Sequence, residues 1–304
     1  MLKTVPDRRL KEQVEFSSIG AYFSLLKPRV MSLAIFTALC GQILALKFNH
    51  MHPILFLISL LSIAIGAGAA GCINMWYDKD IDAKMKRTKT RPIPSGIINA
   101  DEALGLGIVL SILSVVLLGL ASNLLASLLL ASSILFYVFI YTIWLKRRTY
   151  YNIVIGGAAG ALPPVIGWVS VTNDISFFPI ILFLIIFIWT PPHFWALSLF
   201  SENDYKQAGI PMLPNVLGKI ITKRSIVKYS YYLYIISFFP YLFNFTGELY
   251  LLVALVLNTY FLYLAYILKT NDNKTSKKLF KFSIIYLFLI FITLIVDNFI
   301  NFYL

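Results

Sequence analysis

Nine long apolar runs dominate this sequence, at roughly 30–46, 53–76, 103–121, 124–145, 152–171, 176–199, 226–245, 249–268 and 282–302. Each approaches the 20 or so residues needed to cross a hydrocarbon layer about 30 Å thick. In lipid every backbone N–H and C=O must be bonded within the protein, so such runs are expected to be helices. Composition agrees: 59% of the 304 residues are apolar and 13% charged, where a soluble domain has about half and a quarter. A disordered chain, a disulfide scaffold and a soluble enzyme are excluded. Cys40 and Cys72 both lie inside apolar runs, with no disulfide framework and no C-x-x-C metal pair.

The charges fix an expected orientation. The N-terminal tail carries Lys3, Arg8, Arg9, Lys11, Lys27 and Arg29, and the remaining clusters follow the second, fourth, sixth and eighth runs. Of 26 Lys and Arg residues, 25 fall on one side and only Lys47 on the other. Basic loops stay in the cytoplasm. The prediction is an all-α membrane protein, nine transmembrane helices in a bundle, with the N-terminus cytoplasmic and the C-terminus external. Residues 1–28 read as a cytoplasmic tail and 29–304 as a single transmembrane domain. No apolar run precedes Val30, so a cleaved signal peptide is not expected; a bacterial inner membrane is. The net charge of +12 then reflects topology in a lipid bilayer, and no nucleic-acid partner is expected.

Two cytoplasmic loops carry the chemistry. The second run ends Asn74-Met75-Trp76-Tyr77-Asp78-Lys79-Asp80-Ile81-Asp82, followed by Lys84, Lys86, Arg87, Lys89, Arg91 and Pro92-Ile93-Pro94. Residues four apart share a helix face, so Asn74, Asp78 and Asp82 form one polar stripe and Asp80 points elsewhere. Acids at a helix C-terminus are disfavoured by the macrodipole and repel one another at i,i+4, each by a few tenths of a kcal/mol to about 1 kcal/mol. A bound cation reverses both penalties, and an oxygen-only ligand set favours a hard ion such as Mg²⁺ with substrate phosphates. The alternative is a solvated turn whose acids pair with nearby lysines.

The sixth run ends similarly, with His193, then Glu202, Asn203, Asp204 and Lys206 before Pro211 and Pro214. Runs one to four and five to eight therefore read as weak repeats. Two acid-ended helices facing each other would hold Mg²⁺ about a diphosphate through Asn74, Asp78, Asp82 and Asp204, with Lys86, Arg87, Arg91 and Lys206 neutralising the remaining charge. Asp204 alone reads equally as an exposed loop acid. Lys146-Arg147-Arg148 after the fourth run read first as membrane anchors and second as partners for an anionic substrate. Gly156 to Ala161 should let helices approach closely, with Pro163-Pro164 breaking the fifth run. His50 and His52 read as inert. His193, an ionisable group within the membrane, calls for a function; its alternative is a neutral imidazole bonded to a neighbouring helix.

Asn74-x-x-x-Asp78-x-x-x-Asp82 with Arg91-Pro92-x-Pro94 resembles the first aspartate motif of the UbiA-type intramembrane prenyltransferases. Leu26-Lys27-Pro28-Arg29-Val30, Tyr141 to Thr149, Asn152 to Gly157, Pro163 to Trp168 and Pro192-His193-Phe194-Trp195-Ala196-Leu197 resemble the haem-farnesylating branch of that family, over about residues 20–225. The second motif departs from the wider family, since Phe200 stands where an aspartate is usual and Asp204 remains alone. The resemblance implies nine helices, a cytoplasmic-side cavity and a Mg²⁺-bound prenyl diphosphate. Its implied substrates are farnesyl diphosphate and haem B, giving haem O and diphosphate, with a haem A synthase or terminal oxidase as a candidate partner. It further implies His193 as ligand or orienter of the haem iron, with Lys146, Arg147 and Arg148 meeting the propionates. An apolar chamber rich in Phe, Tyr and Trp would hold the farnesyl tail and shield an allylic cation from water. The competing readings are a prenyltransferase for a hydroxybenzoate or quinone precursor, and a secondary transporter. The Pro-His-Phe-Trp string argues against the first, and acids placed at helix ends rather than at mid-span argue against the second.

Overall fold

The computed structural model describes residues 19–268 and 273–303. Lys3, Arg8, Arg9 and Lys11 of the expected tail, and Lys269, lie outside the described residues. A short helix α1 (19–25) precedes α2 (Pro28–Ala45) and α3 (Pro53–Tyr77), which is followed by the single-turn α4 (Lys79–Lys84). Then come α5 (Ala100–Ala121) and α6 (Leu124–Leu135), which widens into a π-helical segment over Phe136–Leu145. The fifth run is two helices, α7 (Asn152–Ala161) and α8 (Pro163–Thr172), divided at the Pro163-Pro164 pair. Next are α9 (Phe177–Phe200), α10 (Glu202–Gln207), α11 (Leu213–Ile236), α12 (Phe239–Leu242), α13 (Glu248–Ile267) and α14 (Asn273–Tyr303). No strand occurs among the described residues.

Eight stretches among the described residues are long and apolar enough to cross a membrane. They coincide with all the expected spans except 226–245. That stretch is shared between the end of α11 and α12, with a turn at Ser237–Phe238 between them. Its helix also carries Lys219, Lys223, Arg224 and Lys228, and it is bent at Gly218, whose φ of 79° is easy only for glycine. Part of the expected tail belongs to the folded body, because Ala21 and Leu25 of α1 pack with Cys72, Met75, Ile93 and Ile98.

The helices close on themselves. α3 packs on α5, α2 on α8, α9 on α7, α11 and α14, and α14 on α13 and back on α2. Lipid tails are as apolar as leucine, so close approach rather than exclusion from water must hold such helices together. The α2–α8 crossing shows how. A Cβ on Gly41 would lie 2.1 Å from the Pro164 carbonyl oxygen, and one on Gly167 would lie 2.1 Å from that of Ala38. Next to this crossing the buried Gln42 donates to Ser59 Oγ (2.7 Å) and Ser170 Oγ (3.1 Å). Large apolar residues such as Leu120, Leu124 and Ile112 remain exposed, as on a lipid-facing surface.

Candidate active site

The polar stripe is buried at the end of α3. The chain leaves helical geometry at Asp78 (φ −89°, ψ 9°) and re-enters it in α4. The i,i+4 bonds nonetheless run on, from Asp78 N to Asn74 O (3.0 Å) and from Asp82 N to Asp78 O (2.8 Å). Asn74, Asp78 and Asp82 therefore stay stacked, all buried, while Asp80 faces out.

Their partners come from three distant segments. Asn74 accepts from Lys27 Nζ (2.6 Å) and donates to Asp78 Oδ2 (2.8 Å) and Thr142 Oγ1 (3.0 Å). Lys146 donates to Asp78 Oδ2 in a close ion pair. Arg147 grips Asp80 with two bonds (2.9 and 2.7 Å), donates to the Tyr77 carbonyl (2.9 Å) and stands 3.6 Å from Asp78 Oδ1. Arg91 pairs with Asp82 at 2.6 Å. The Arg147 guanidinium holds the Asp80 carboxyl below the usual carboxylate range. Desolvation, then the nearby charges of Arg91 and Lys146, push the Lys27 ammonium down to about 7. Lys27 also keeps a left-handed backbone, φ 51° and ψ 51°, which is costly for a side-chain-bearing residue directly before proline.

Local geometry delivers these cations. The π-helical segment ends with Lys146 N bonded to Tyr141 O (2.9 Å), five residues back, and such wide turns are frequent at functional sites. A Cβ on Gly156 would lie 2.2 Å from the Tyr141 ring. The small-residue stretch of α7 thus makes room for the aromatic face of that segment. The two acidic loops meet below the membrane ends of α3 and α9. Ile81 and Met85 pack with Tyr205, Ala208, Ile210 and Met212 in one apolar cluster that also takes Ile153 and touches Tyr141 and Phe194. They therefore share one face of the bundle.

Among the described residues no three His, Cys, Asp or Glu side chains form a metal-ligating group. One feature nevertheless suits a cation. Asp78 Oδ1 is buried and accepts no hydrogen bond, an unusual state for a carboxylate oxygen.

Residues 34–292 match the UbiA prenyltransferase family. The chain belongs to that family. It is 52% identical over 281 residues to a protein of Brucella ovis named protoheme IX farnesyltransferase, covering 91% of this chain and 89% of that one. A protein of Mesorhizobium japonicum named protoheme IX farnesyltransferase 2 is 52% identical over 287 residues, covering 93% and 91%. One of Acidiphilium cryptum with the first name is 50% identical over 305 residues, covering 97% and 96%. A solved digeranylgeranylglyceryl phosphate synthase superposes with a TM-score of 0.77 at 22% identity, covering 93% of this chain and 99% of that one. A UbiA homologue from Archaeoglobus fulgidus bound to DMAPP and Mg²⁺ superposes with a TM-score of 0.65 at 18% identity, covering 89% and 98%. These two show the fold.

Within this UbiA-family bundle the expected site residues divide. Asn74, Asp78, Asp82 and Arg91 are brought together, and Lys146 and Arg147 join them through their ion pairs with Asp78 and Asp80. Those two cations therefore do not form a separate patch with Arg148, which is exposed. Lys86, Arg87 and Lys206 are also exposed, and Asp204 is half-buried without an ion pair to the first motif. Asp78 and Asp82 are withdrawn from solvent, and the three acids pair not with the lysines just after them but with Lys146, Arg147 and Arg91. His193 faces α14 rather than the aspartates. Its Nδ1 is 2.6 Å from Ser283 Oγ, and its ring is stacked between Trp189 and Phe280. Sequence reasoning missed Lys27, Thr142 and Ser283 as partners. Lys27 stands in the Leu-Lys-Pro-Arg-Val string that resembles the family, and that signal was available. Thr142 stands likewise in the Tyr141 to Thr149 string, whereas Ser283 carries no such signal.

Proposed function

We propose that this UbiA-family protein transfers the farnesyl group of farnesyl diphosphate to a vinyl group of haem B, giving haem O and diphosphate. The observation that carries the diphosphate half is the buried Asn74–Asp78–Asp82 stripe gathered with Lys27, Lys146, Arg147 and Arg91. The haem half rests on relatives half identical to this chain and named protoheme IX farnesyltransferase, and on the buried His193.

In this reading Asn74, Asp78 and Asp82 hold Mg²⁺, with Asp204 contributing from the second loop. The all-oxygen donor set and the unbonded Asp78 Oδ1 suit that ion. When bound, Mg²⁺ opposes the negative charge that grows on the departing diphosphate. Lys27, Lys146, Arg147 and Arg91 are the cations at hand for the same oxygens, with Lys86, Arg87 and Lys206 at the rim. The C1–O bond of farnesyl diphosphate breaks with its electron pair leaving on diphosphate. The vinyl π electrons form the new bond to C1, water adds to the carbon beside the porphyrin, and one proton is lost. Haem B, farnesyl diphosphate and water thus balance haem O, diphosphate and a proton. Until the vinyl group attacks, the allylic cation must be kept from water. His193 orients or ligates the haem iron, and Arg148 is the cation left for a propionate.

The same proposal has nine spans, with the α11–α12 stretch as the seventh, a cytoplasmic N-terminus, an external C-terminus and a bacterial inner membrane as the location. Incubating purified protein with farnesyl diphosphate, haem B and Mg²⁺, then weighing the extracted haem by mass spectrometry, tests the reaction. Haem O is expected, and chelation by EDTA should abolish it until Mg²⁺ is restored. Unaltered haem B alongside prenylation of an offered hydroxybenzoate would overturn the acceptor.

A further inference from the structure

His193 is held more tightly than packing alone requires. Its ring lies between Trp189 (centroids 4.3 Å apart, planes at 19°) and Phe280 (4.7 Å, 27°), with Phe194 edge-on at 5.1 Å. Ser283 of α14 meets two of these three stacked side chains, Trp189 and His193. Its carbonyl accepts from Trp189 Nε1 (2.8 Å), and its hydroxyl is 2.6 Å from His193 Nδ1.

The hydroxyl has a second contact, with the Phe280 carbonyl at 2.7 Å. A serine hydroxyl has one hydrogen and two lone pairs. Spent on the imidazole, that hydrogen would leave Ser283 Oγ and the Phe280 oxygen facing each other with no proton between them. Given to Phe280, it leaves Oγ free to accept from Nδ1–H, and both contacts are satisfied. Among the described residues the imidazole makes no other hydrogen bond, so Nε2 then keeps its lone pair.

We propose that Ser283 is a positioning residue, which locks the stacked His193 ring in its Nδ1–H tautomer and presents a bare Nε2 to the haem iron. Histidines that serve a metal commonly donate their other N–H to a fixing partner, and loss of that partner typically costs 10–100-fold in affinity. Here a serine passes the anchorage to the main chain of α14. The choice of tautomer follows from the helix contacts; only the identity of what meets Nε2 rests on the haem reading above.

Two measurements separate these parts. With His50→Gln and His52→Asn, His193 is the sole histidine, and ¹⁵N-histidine NMR of the detergent-solubilised chain without haem reports its protonated nitrogen directly. Protonated Nδ1 and bare Nε2 are expected, retained in Ser283→Thr and lost to Nε2–H or a mixture in Ser283→Ala. Protonation at Nε2 in the parent chain, or no change in Ser283→Ala, overturns the proposal. Titration with haem B supplies the second readout. Ser283→Ala and His193→Ala should shift the Soret band and weaken binding about 10–100-fold, with Ser283→Thr near the parent. If the tautomer is as stated but His193→Ala leaves the haem spectrum unchanged, the iron-ligand reading fails and the positioning of His193 by Ser283 stands.

Discussion

Asp78 has no exposed surface, one oxygen paired with Lys146 and bonded to Asn74, and the other without a hydrogen bond. A buried carboxylate kept half-bonded is a poor way to stabilise a fold and a good way to receive a cation. Asp78→Ala is therefore expected to cut haem O formation by at least about 10³-fold, while gel filtration still shows a folded protein. Near-normal haem O would remove Asp78 from the reaction. Lys27→Met is expected to raise KM for farnesyl diphosphate about 10-fold or more, the scale of one hydrogen bond to a charged group, with KM for haem unchanged; steady-state kinetics with each substrate varied decides it. The stripe itself was legible in the sequence because backbone geometry alone stacks residues four apart. The pairing of its side chains with particular cations was not, since Lys27 and Lys146 come from segments 47 and 68 residues away, and only the tertiary fold brings them in.

Between whole helices the decisive contacts involve missing atoms. Gly41 and Gly167 face main-chain oxygens, which cannot swing aside, whereas Gly156 faces the Tyr141 ring and nothing lies within 4 Å of a Cβ on Gly160. Gly41→Ala should therefore lower stability most, by 1–3 kcal/mol or more. Gly160→Ala should be neutral or slightly stabilising, because alanine suits a helix better than glycine. Thermal unfolding in detergent ranks them. Gly156→Ala should displace Tyr141 and with it the π-helical segment that delivers Lys146, so activity should fall by more than the change in melting temperature explains. The break at Pro163-Pro164 was expected from residue chemistry, since a proline pair removes two backbone donors from the helix ladder, yet the same chemistry at Pro191-Pro192 leaves α9 unbroken. The π-helical widening over Phe136–Leu145 could not be read from the sequence, because an apolar aromatic run holds no breaker. There the register answers to contacts with α7 and α3.

Across the whole molecule, alternating loop charge carries the expected topology, because 25 of 26 basic residues fall on one side of the expected membrane. A phosphatase fused after the last residue should be active in the periplasm and a green fluorescent protein dark there; the reverse pattern would mean an even number of crossings. The stretch 226–245 was the least legible part, since it begins in a cation-rich helix and turns at Ser237–Phe238 before α12. The ion pairs around Asp78, Asp80 and Asp82 have a further result at this scale. The acids are already matched by basic side chains, so on the proposed reading the empty site would work as an ion exchanger. Arrival of a metal-chelated lipid pyrophosphate would then swap one set of counter-ions for another. On that reading the carboxylates would not need to stand bare at the edge of the bilayer before the substrate comes.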